Sequence, residues 1–420
     1  MKPKILTTIV GYSLHDLAAD GIAGITVALV ALPLSIAIAI ASGVSPASGV
    51  ITAIVAGFLI SALGGSRVQI GGPTSAFIVI VYGIVHDYGQ PGLIVATLMA
   101  GVILLCAAVL GAGRLIRYVP EPVVEGFTVG IALVIAFGQL KDLLGMAGPA
   151  LPAAFLPKIA SLWGLRGTAS LPALIAGLAC IGAILGLRRL APKVPWPLFV
   201  VAAISIVATR LHLDVTSVAE RYGALPSGLP SPRFPEFTAS QLVSLLPSAL
   251  TIAFLAAVES LLSATVADRM IGSRHRSGAE LLAQGFANIV SPLFGGLPAT
   301  GAIARTATNV AAGGRTPVAG MLHALAILVL LAIAAPLAGA LSLPALSGLL
   351  IVTAWTMSEP HRWRARLQLP RTELAVLVLT AALTVFADLT LALFCGTVTG
   401  LALKAWRRRT TAIGHPMPGA

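Results

Sequence analysis

Charge is scarce in this chain. Asp, Glu, Lys and Arg supply 10% of its 420 residues, against 57% for the hydrophobic residues. A soluble domain of this length needs a charged surface and could not hide so much apolar side chain, so a water-soluble fold is excluded. The strict apolar–polar alternation of a membrane β-barrel is missing too. Residues 1–20 lack a short apolar core followed by a small-residue cleavage site, so no signal peptide is expected. Cysteine is limited to Cys106, Cys180 and Cys395, each inside an apolar run, with no spacing suited to a disulfide or a metal. There is no CxxC, HExxH, Walker A or GxSxG motif. Neither an ATP-driven pump nor a hydrolase is supported, and no enzyme activity, cofactor or metal centre is expected.

What the chain does have is long apolar runs. Stretches such as 22–41 and 93–110 are long enough to cross a bilayer as helices. The expected fold is an all-α polytopic membrane protein with 14 spans, at 22–41, 50–63, 73–85, 93–110, 123–139, 171–187, 196–209, 242–264, 281–297, 301–312, 317–337, 344–357, 372–387 and 389–405. The longest polar connection, 210–241, divides seven spans from seven. An odd number per half puts the halves in opposite orientation, the inverted-repeat plan of many secondary transporters. The expected organisation is therefore an N-terminal segment 1–20, a first repeat 21–209, an extracytoplasmic connection 210–241, a second repeat 242–405 and a basic tail 406–420. Within the first repeat, 141–170 reads as an outer loop with an interfacial helix, where Trp163 suits the headgroup level.

A net charge of +12 would suggest nucleic acid in a soluble protein. Here the basic residues sit in short loops and report orientation. With the N-terminus in the cytoplasm, Lys141, Lys158, Arg166, Arg210, Arg221 and Arg233 fall outside. A much larger set falls inside, from Lys2 and Lys4 through Arg114, Arg117, Arg188, Arg189, Lys193, Arg269, Arg274, Arg276, Arg315 and Arg362 to Lys404, Arg407, Arg408 and Arg409. The positive-inside rule then gives a multi-pass plasma-membrane (inner-membrane) protein with both termini cytoplasmic, and nucleic acid is not an expected partner.

Two interruptions stand out within the apolar pattern. Gly71-Gly72-Pro73-Thr74-Ser75-Ala76-Phe77 precedes the short third span, and Gly296-Leu297-Pro298-Ala299-Thr300-Gly301-Ala302 precedes the short tenth. Both place Pro and Thr among small residues at the start of a helix too short to cross alone. The chain leading into each must then be extended backbone buried in protein. A helix start offers unpaired N–H groups and the positive end of the helix dipole. Matched breaks in opposed repeats would aim two such starts at one point near the membrane centre, an anion site needing no cationic side chain. The first start comprises Thr74, Ser75 and Ala76; the second comprises Thr300, Gly301 and Ala302, followed by Ile303. The alternative is a pair of packing kinks, but their matched positions favour a site.

Glu259 lies in an apolar part of the eighth span, with Ser263 on the same face four residues later. An intramembrane carboxylate is costly and faces a cavity or a partner. It can carry a coupling proton, or with Ser263 supply oxygen ligands to Na⁺; the structural alternative is a pair with Arg305 or a backbone amide. Arg305 sits one turn beyond the second break, where it can add positive potential beside an anion, pair with Glu259, or snorkel to water. Asp268 and Arg269 read as ordinary boundary residues at the cytoplasmic end of the eighth span, and Asp388 as one at the outer boundary.

These blocks resemble the SulP inorganic-anion transporters, the family of sulfate permeases, bacterial bicarbonate and dicarboxylate carriers, pendrin and prestin. The resemblance rests on Asp20-Gly21-Ile22-Ala23-Gly24 leading to Ala31-Leu32-Pro33, on 52–58 with Gly64-Gly65-Ser66-Arg67, on Gly71-Gly72-Pro73-Thr74, on 259–270, and on Pro298-Ala299-Thr300-Gly301-Ala302-Ile303-Ala304-Arg305-Thr306. It implies seven plus seven inverted repeats. Spans one to four and eight to eleven would form a core domain, and the others a gate domain. A small anion would bind between the third and tenth helix starts, and the core would move as an elevator. Glu259 and Ser263 match the positions that hold Na⁺ in sodium-coupled members. Members with Glu there are often proton-coupled, which leans towards H⁺. A homodimer is expected. Leu34 and Ser35 stand where many relatives carry Gln after the first-span proline, and the STAS domain that ends most relatives does not follow the last span. A nucleobase permease, which shares the architecture, would want acids near both breaks, whereas the tenth helix here offers Arg305. A Na⁺-coupled bicarbonate symporter or an anion exchanger is the alternative form of transport, and an anion channel or voltage-driven motor a further alternative.

Overall fold

The computed structural model describes residues 2–114, 120–191, 194–387 and 389–413, without the side chains of 114 and 404–413. The charges assigned above to Arg117, Lys193 and Asp388, and to the side chains of Arg114, Lys404, Arg407, Arg408 and Arg409, lie outside the described residues. The chain is overwhelmingly helical. Helices of eight residues or more are α1 (Leu14–Ala41), α2 (Pro46–Leu63), α3 (Ile78–Val109), α4 (Glu121–Gly138), α5 (Phe155–Leu165), α6 (Leu171–Leu190) and α7 (Trp196–Arg210). The second half supplies α8 (Ala239–Ile271), α9 (Ser277–Leu293), α10 (Ile303–Ala311), α11 (Pro317–Gly339), α12 (Leu343–Met357), α13 (Arg371–Phe386) and α14 (Leu389–Ile413). Seven of the described helices are long and apolar enough to cross a membrane, and α7 and the 389–403 part of α14 are shorter apolar helices.

The starts of the two repeats are built alike. Ser13 and Asp16 form a capping box on α1, and Thr238 and Gln241 form one on α8. Each box satisfies two of the orphan backbone N–H groups of a helix start. α3 holds the third and fourth spans without a loop between them. The chain corners at Gly89, with φ +68 and ψ −174, a conformation open to glycine, and Pro91 opens the second half.

Contacts between the halves come in matched pairs, as inverted repeats require. α1 packs on α11 as α8 packs on α3; α2 packs on α11 as α9 packs on α3; α4 packs on α13 as α12 packs on α6. α1 also touches α7 as α8 touches α14. The first two relations, with α10 packed on α1 and α8, build the core domain from α1–α3 and α8–α11; the third, with α7 packed on α6 and α14 on α13, builds the gate domain from α4, α6, α7 and α12–α14. Small residues let these helices approach closely. A Cβ on Gly101 of α3 would stand 2.8 Å from the Gly285 carbonyl of α9, and one on Gly348 of α12 would stand 2.7 Å from the Gly177 carbonyl of α6.

The two long connections are structured. Residues 141–170 contain α5, with Trp163 exposed and the Arg166 guanidinium 4.6 Å from its ring centroid. In 210–241, the chain before the short helix Val218–Tyr222 docks on the second half. The Val218 amide donates to the Leu341 carbonyl at 2.9 Å, and the Leu343 amide donates to Thr216 at 3.0 Å.

Candidate functional site

The two breaks meet. Gly71–Gly72 forms β1 and Thr300–Gly301 forms β2, and they pair antiparallel with Gly71 opposite Gly301 and Gly72 opposite Thr300. This is where the backbone polar groups of the interrupted segments go. Unpaired, each would cost several kcal/mol inside a membrane. The pairing extends beyond the strands, because the Ala302 amide donates to the Ile70 carbonyl at 2.8 Å.

The first helical turn on one side is a short 3₁₀ segment, Ser75–Phe77, which runs into α3. On the other side α10 begins at Ile303, with Ala302 as its N-cap. Thr74, Ser75 and Ala76 therefore stand at a helix start, as expected. Thr300 and Gly301 do not: they lie in β2, because pairing with β1 satisfies their backbone groups and delays the helix until Ile303. The Thr300 side chain is fully buried and donates to the Ala256 carbonyl of α8 at 3.0 Å. Gly301 leaves room for Gln69, whose Nε2 would stand 1.5 Å from a Cβ there. The ninth helix likewise ends at Leu293, short of the expected 297. Leu297 lies in the extended approach, where its amide donates to Thr52 Oγ1 at 2.6 Å.

Arg305 does not snorkel. It is 2% exposed. Its Nη2 donates to Ser35 Oγ and to the Pro73 carbonyl, both at 3.1 Å, while Nη1 has no hydrogen-bond partner among the described residues. Gly72, at φ +150, makes the space: a Cβ there would come 2.5 Å from Arg305 Nη1. The guanidinium of the second repeat thus rests on the break of the first. Ser35, one residue past the position where a glutamine was missed, is the side chain from α1 that meets it.

Glu259 reaches the first break. Its Oε2 accepts a hydrogen bond from the Thr74 hydroxyl at 3.0 Å. It forms no ion pair with Arg305 among the described residues. Ser263 is fully buried and its hydroxyl lies 3.3 Å from Thr306 Oγ1, which also accepts from the Ile70 amide at 3.1 Å. The structure therefore brings Glu259 to Thr74 and Ser263 to Thr306, two separate contacts along one face of α8. Ser75 borders the gate, and Ile303 is partly exposed. The Ser75 hydroxyl contacts Met357 Sδ of α12 at 3.5 Å, and Ile303 is 38% exposed.

Behind the strands lies a polar cluster that the sequence reading passed over. Glu280, Gln284 and Asn288 follow one another at four-residue spacing on α9, and all three are fully buried. Glu280 Oε2 accepts from the Gly65 amide at 2.9 Å, and its Oε1 accepts from Ser260 Oγ at 2.9 Å and Gln284 Nε2 at 3.0 Å. Gln69 Nε2 donates to Ser260 Oγ at 2.9 Å. Asn288 clamps the second break, donating to the Ala299 carbonyl at 2.8 Å and accepting its amide at 2.9 Å. Asn309 donates to the Val68 carbonyl at 2.8 Å. Asp20, also buried, ties α1 to the start of α11 by accepting from the Arg315 and Thr316 amides, the Thr316 hydroxyl and Tyr12. The signal was available: charged and amide side chains at i, i+4 and i+8 within an apolar helix mark a polar stripe. The boundary residue Asp268 has a task as well, accepting from the His275 amide at 2.8 Å.

Taken as chemistry, this arrangement is two helix starts, a buried guanidinium with a donor unpartnered among the described residues, and a carboxyl on a neighbouring helix, with a second domain touching the first helix start. Comparison with known proteins points the same way. Residues 17–380 match the family model described as Sulfate permease family. The protein named "Putative sulfate transporter YvdB", from Bacillus subtilis, is 42% identical over 394 residues, covering 94% of this chain and 74% of that one. The "Bicarbonate transporter BicA" of Synechocystis sp. is 29% identical over 353 residues, covering 80% of this chain and 60% of that one. Among solved structures, the transmembrane domain of a cyanobacterial BicA superposes with a TM-score of 0.82 at 28% identity, covering 91% of this chain and 98% of that one. Murine Slc26a9 shares the fold, with a TM-score of 0.85 at 16% identity over 96% of this chain and 71% of that one. The chain belongs to the sulfate permease family, and is a multi-pass membrane transporter of anions rather than an enzyme.

Proposed function

We propose that this chain moves a small oxyanion, sulfate first and bicarbonate or a small dicarboxylate as alternatives, by symport with H⁺. The observation that carries the reading is Arg305: a buried guanidinium beside both breaks, with Nη1 unpartnered. A buried cation without its full complement of acceptors is costly, and an oxyanion between the two helix starts supplies what it lacks. Thr74, Ser75, Ala76, Ala302 and Ile303 form the rest of the contact surface. Thr300 and Gly301 contribute by shaping β2.

Glu259 is the coupling group in this reading. It touches the anion site through Thr74, so its charge and the occupancy of the site are linked. The involvement of Ser263 with Thr306 weighs towards H⁺ over Na⁺, since Glu259 and Ser263 are each engaged with a different partner. The core carries the site past the gate as an elevator, in a homodimer in the plasma membrane with both termini cytoplasmic.

The test is labelled-sulfate uptake into proteoliposomes under an imposed pH gradient, with and without Na⁺. Uptake that follows the pH gradient alone, is lost in Glu259→Gln and leaves exchange partly intact is the expected result. Concentrative uptake unchanged in Glu259→Gln removes the coupling role. No sulfate flux under either gradient removes sulfate, and bicarbonate and dicarboxylates are then tried on the same vesicles.

A further inference from the structure

A second cationic centre lies at the end of the core where the N-terminal segment crosses the loops after α2 and α8. The Lys4 amide donates to the Gly64 carbonyl at 2.8 Å, and its Nζ donates to the Arg274 carbonyl at 3.0 Å. Arg276 holds the same segment from the other side, donating from Nη1 to the Lys2 carbonyl at 3.0 Å and from its amide to the Gly65 carbonyl at 3.0 Å. These bonds set Lys4 and Arg67 on the wall of an open hollow of about 320 Å³, with the charge of Arg276 close enough to act on Lys4. Its walls include Lys4, Thr7, Thr8, Val10, Arg67 and Ser273.

Three features make this hollow a site for an anion. Arg67 Nε is buried and has no hydrogen-bond partner among the described residues. Burial, followed by the charges of Arg276 and Arg67, holds the Lys4 ammonium below its usual range, so the cations repel one another at close quarters. The carboxylate acting on Lys4, that of Asp268, is already engaged, with Oδ2 at 2.7 Å from the His275 ring and 2.8 Å from its amide. The Ser273 hydroxyl adds a neutral donor at the rim, while the Thr7 and Thr8 hydroxyls donate back to the Lys4 and Ile5 carbonyls and fix the segment.

The surroundings choose among anions. Leu6, Ile9, Val10 and Leu14 are all exposed on the same N-terminal segment. An apolar flank beside cations and hydroxyls matches a molecule with a phosphate at one end and hydrocarbon at the other. We infer that this hollow binds the phosphate headgroup of an anionic phospholipid, whose acyl chains lie along the exposed apolar side chains of residues 6–14. The bound lipid supplies the charge that Lys4, Arg67 and Arg276 lack and fastens the N-terminal segment to the core.

The test uses the full chain purified in detergent. Thermal unfolding is followed while phosphatidylglycerol, phosphatidylcholine or water-soluble glycerol phosphate is added, for wild type, Lys4→Gln and Lys4→Gln/Arg67→Gln. Phosphatidylglycerol should raise the wild-type Tm, and the concentration giving half the shift should rise about fivefold for each cation removed. Phosphatidylcholine and glycerol phosphate should leave the Tm unchanged. An identical phosphatidylglycerol response in wild type and Lys4→Gln overturns the site, as does an equal shift from phosphatidylcholine. A shift reproduced by glycerol phosphate overturns the assignment to lipid. Lys4 bonds through Nζ only to a backbone carbonyl at the surface, so its variant folds even where the double variant does not.

Discussion

Arg305 and Asp20 illustrate two uses of a buried charge. Asp20 is fully satisfied, with each carboxylate oxygen accepting two hydrogen bonds. It is a clamp between α1 and α11. Asp20→Ala leaves the Thr316 and Arg315 donors without partners and should destabilise the protein by about 1–3 kcal/mol, read as a lowered Tm in detergent. Arg305 is incompletely satisfied, and its charge is available to a ligand. Arg305→Gln should keep the fold, because the neutral amide can still donate to Ser35, while anion uptake falls by at least about tenfold, the usual scale for one charge-assisted contact. A normal uptake rate in that variant would place the anion elsewhere. Arg305 was legible in the sequence as an intramembrane charge, Asp20 only as the end of the N-terminal segment, and the difference in their satisfaction was not legible at all. It depends on partners 295 and 296 residues away for Asp20, and 270 and 232 away for Arg305.

At the scale of elements, the breaks were legible because Gly and Pro interrupt apolar runs at matched places. What was not legible is that they hydrogen-bond to each other. A two-residue strand has no periodicity to read, and the sequence spacing of Gly71 and Gly301 says nothing about pairing. This is why Thr300 and Gly301 were expected at a helix start and lie in β2. The packing around β2 gives a direct check. Gly301→Ala sets a Cβ against Gln69 and should cost about 1–3 kcal/mol of stability. Gln69→Ala alone also destabilises, by removing the Nε2 donor to the Ser260 hydroxyl and carbonyl and leaving a cavity. In the double variant the two losses should sum to less than their separate values, since the clash is gone; strict additivity in Tm would show that Gly301 and Gln69 are not in contact. The polar stripe on α9 shows the reverse situation. Its spacing was in plain view, but hydropathy alone averaged it away.

The whole molecule divides into a core that carries both breaks and a gate that faces them. The matched helix contacts make this division a consequence of internal symmetry; counting spans and loop charges anticipated the two opposed halves, and the resemblance to the SulP transporters implied the division into core and gate. Ser75 and Met357 stand at the boundary, one on each side. If transport requires the core to slide, cysteines at 75 and 357 bridged by Hg²⁺ should bring uptake to background, with recovery after dithiothreitol. Cys106 and Cys395, which are not fully buried, are replaced first. Full uptake with the bridge in place would exclude relative motion at this boundary.

The pairing of β1 with β2 also constrains how the protein is made. Residues 68–72 leave the ribosome long before residue 300 exists, and their backbone groups cannot be satisfied by lipid. Until the second half arrives, the nascent first half has an open wound in its centre, closed neither by its own helices nor by the bilayer. Insertion must therefore finish as a joint event between the halves. Expressed as two separate polypeptides, 1–225 and 226–420 should accumulate only when made together, and quality-control proteases should clear either one made alone.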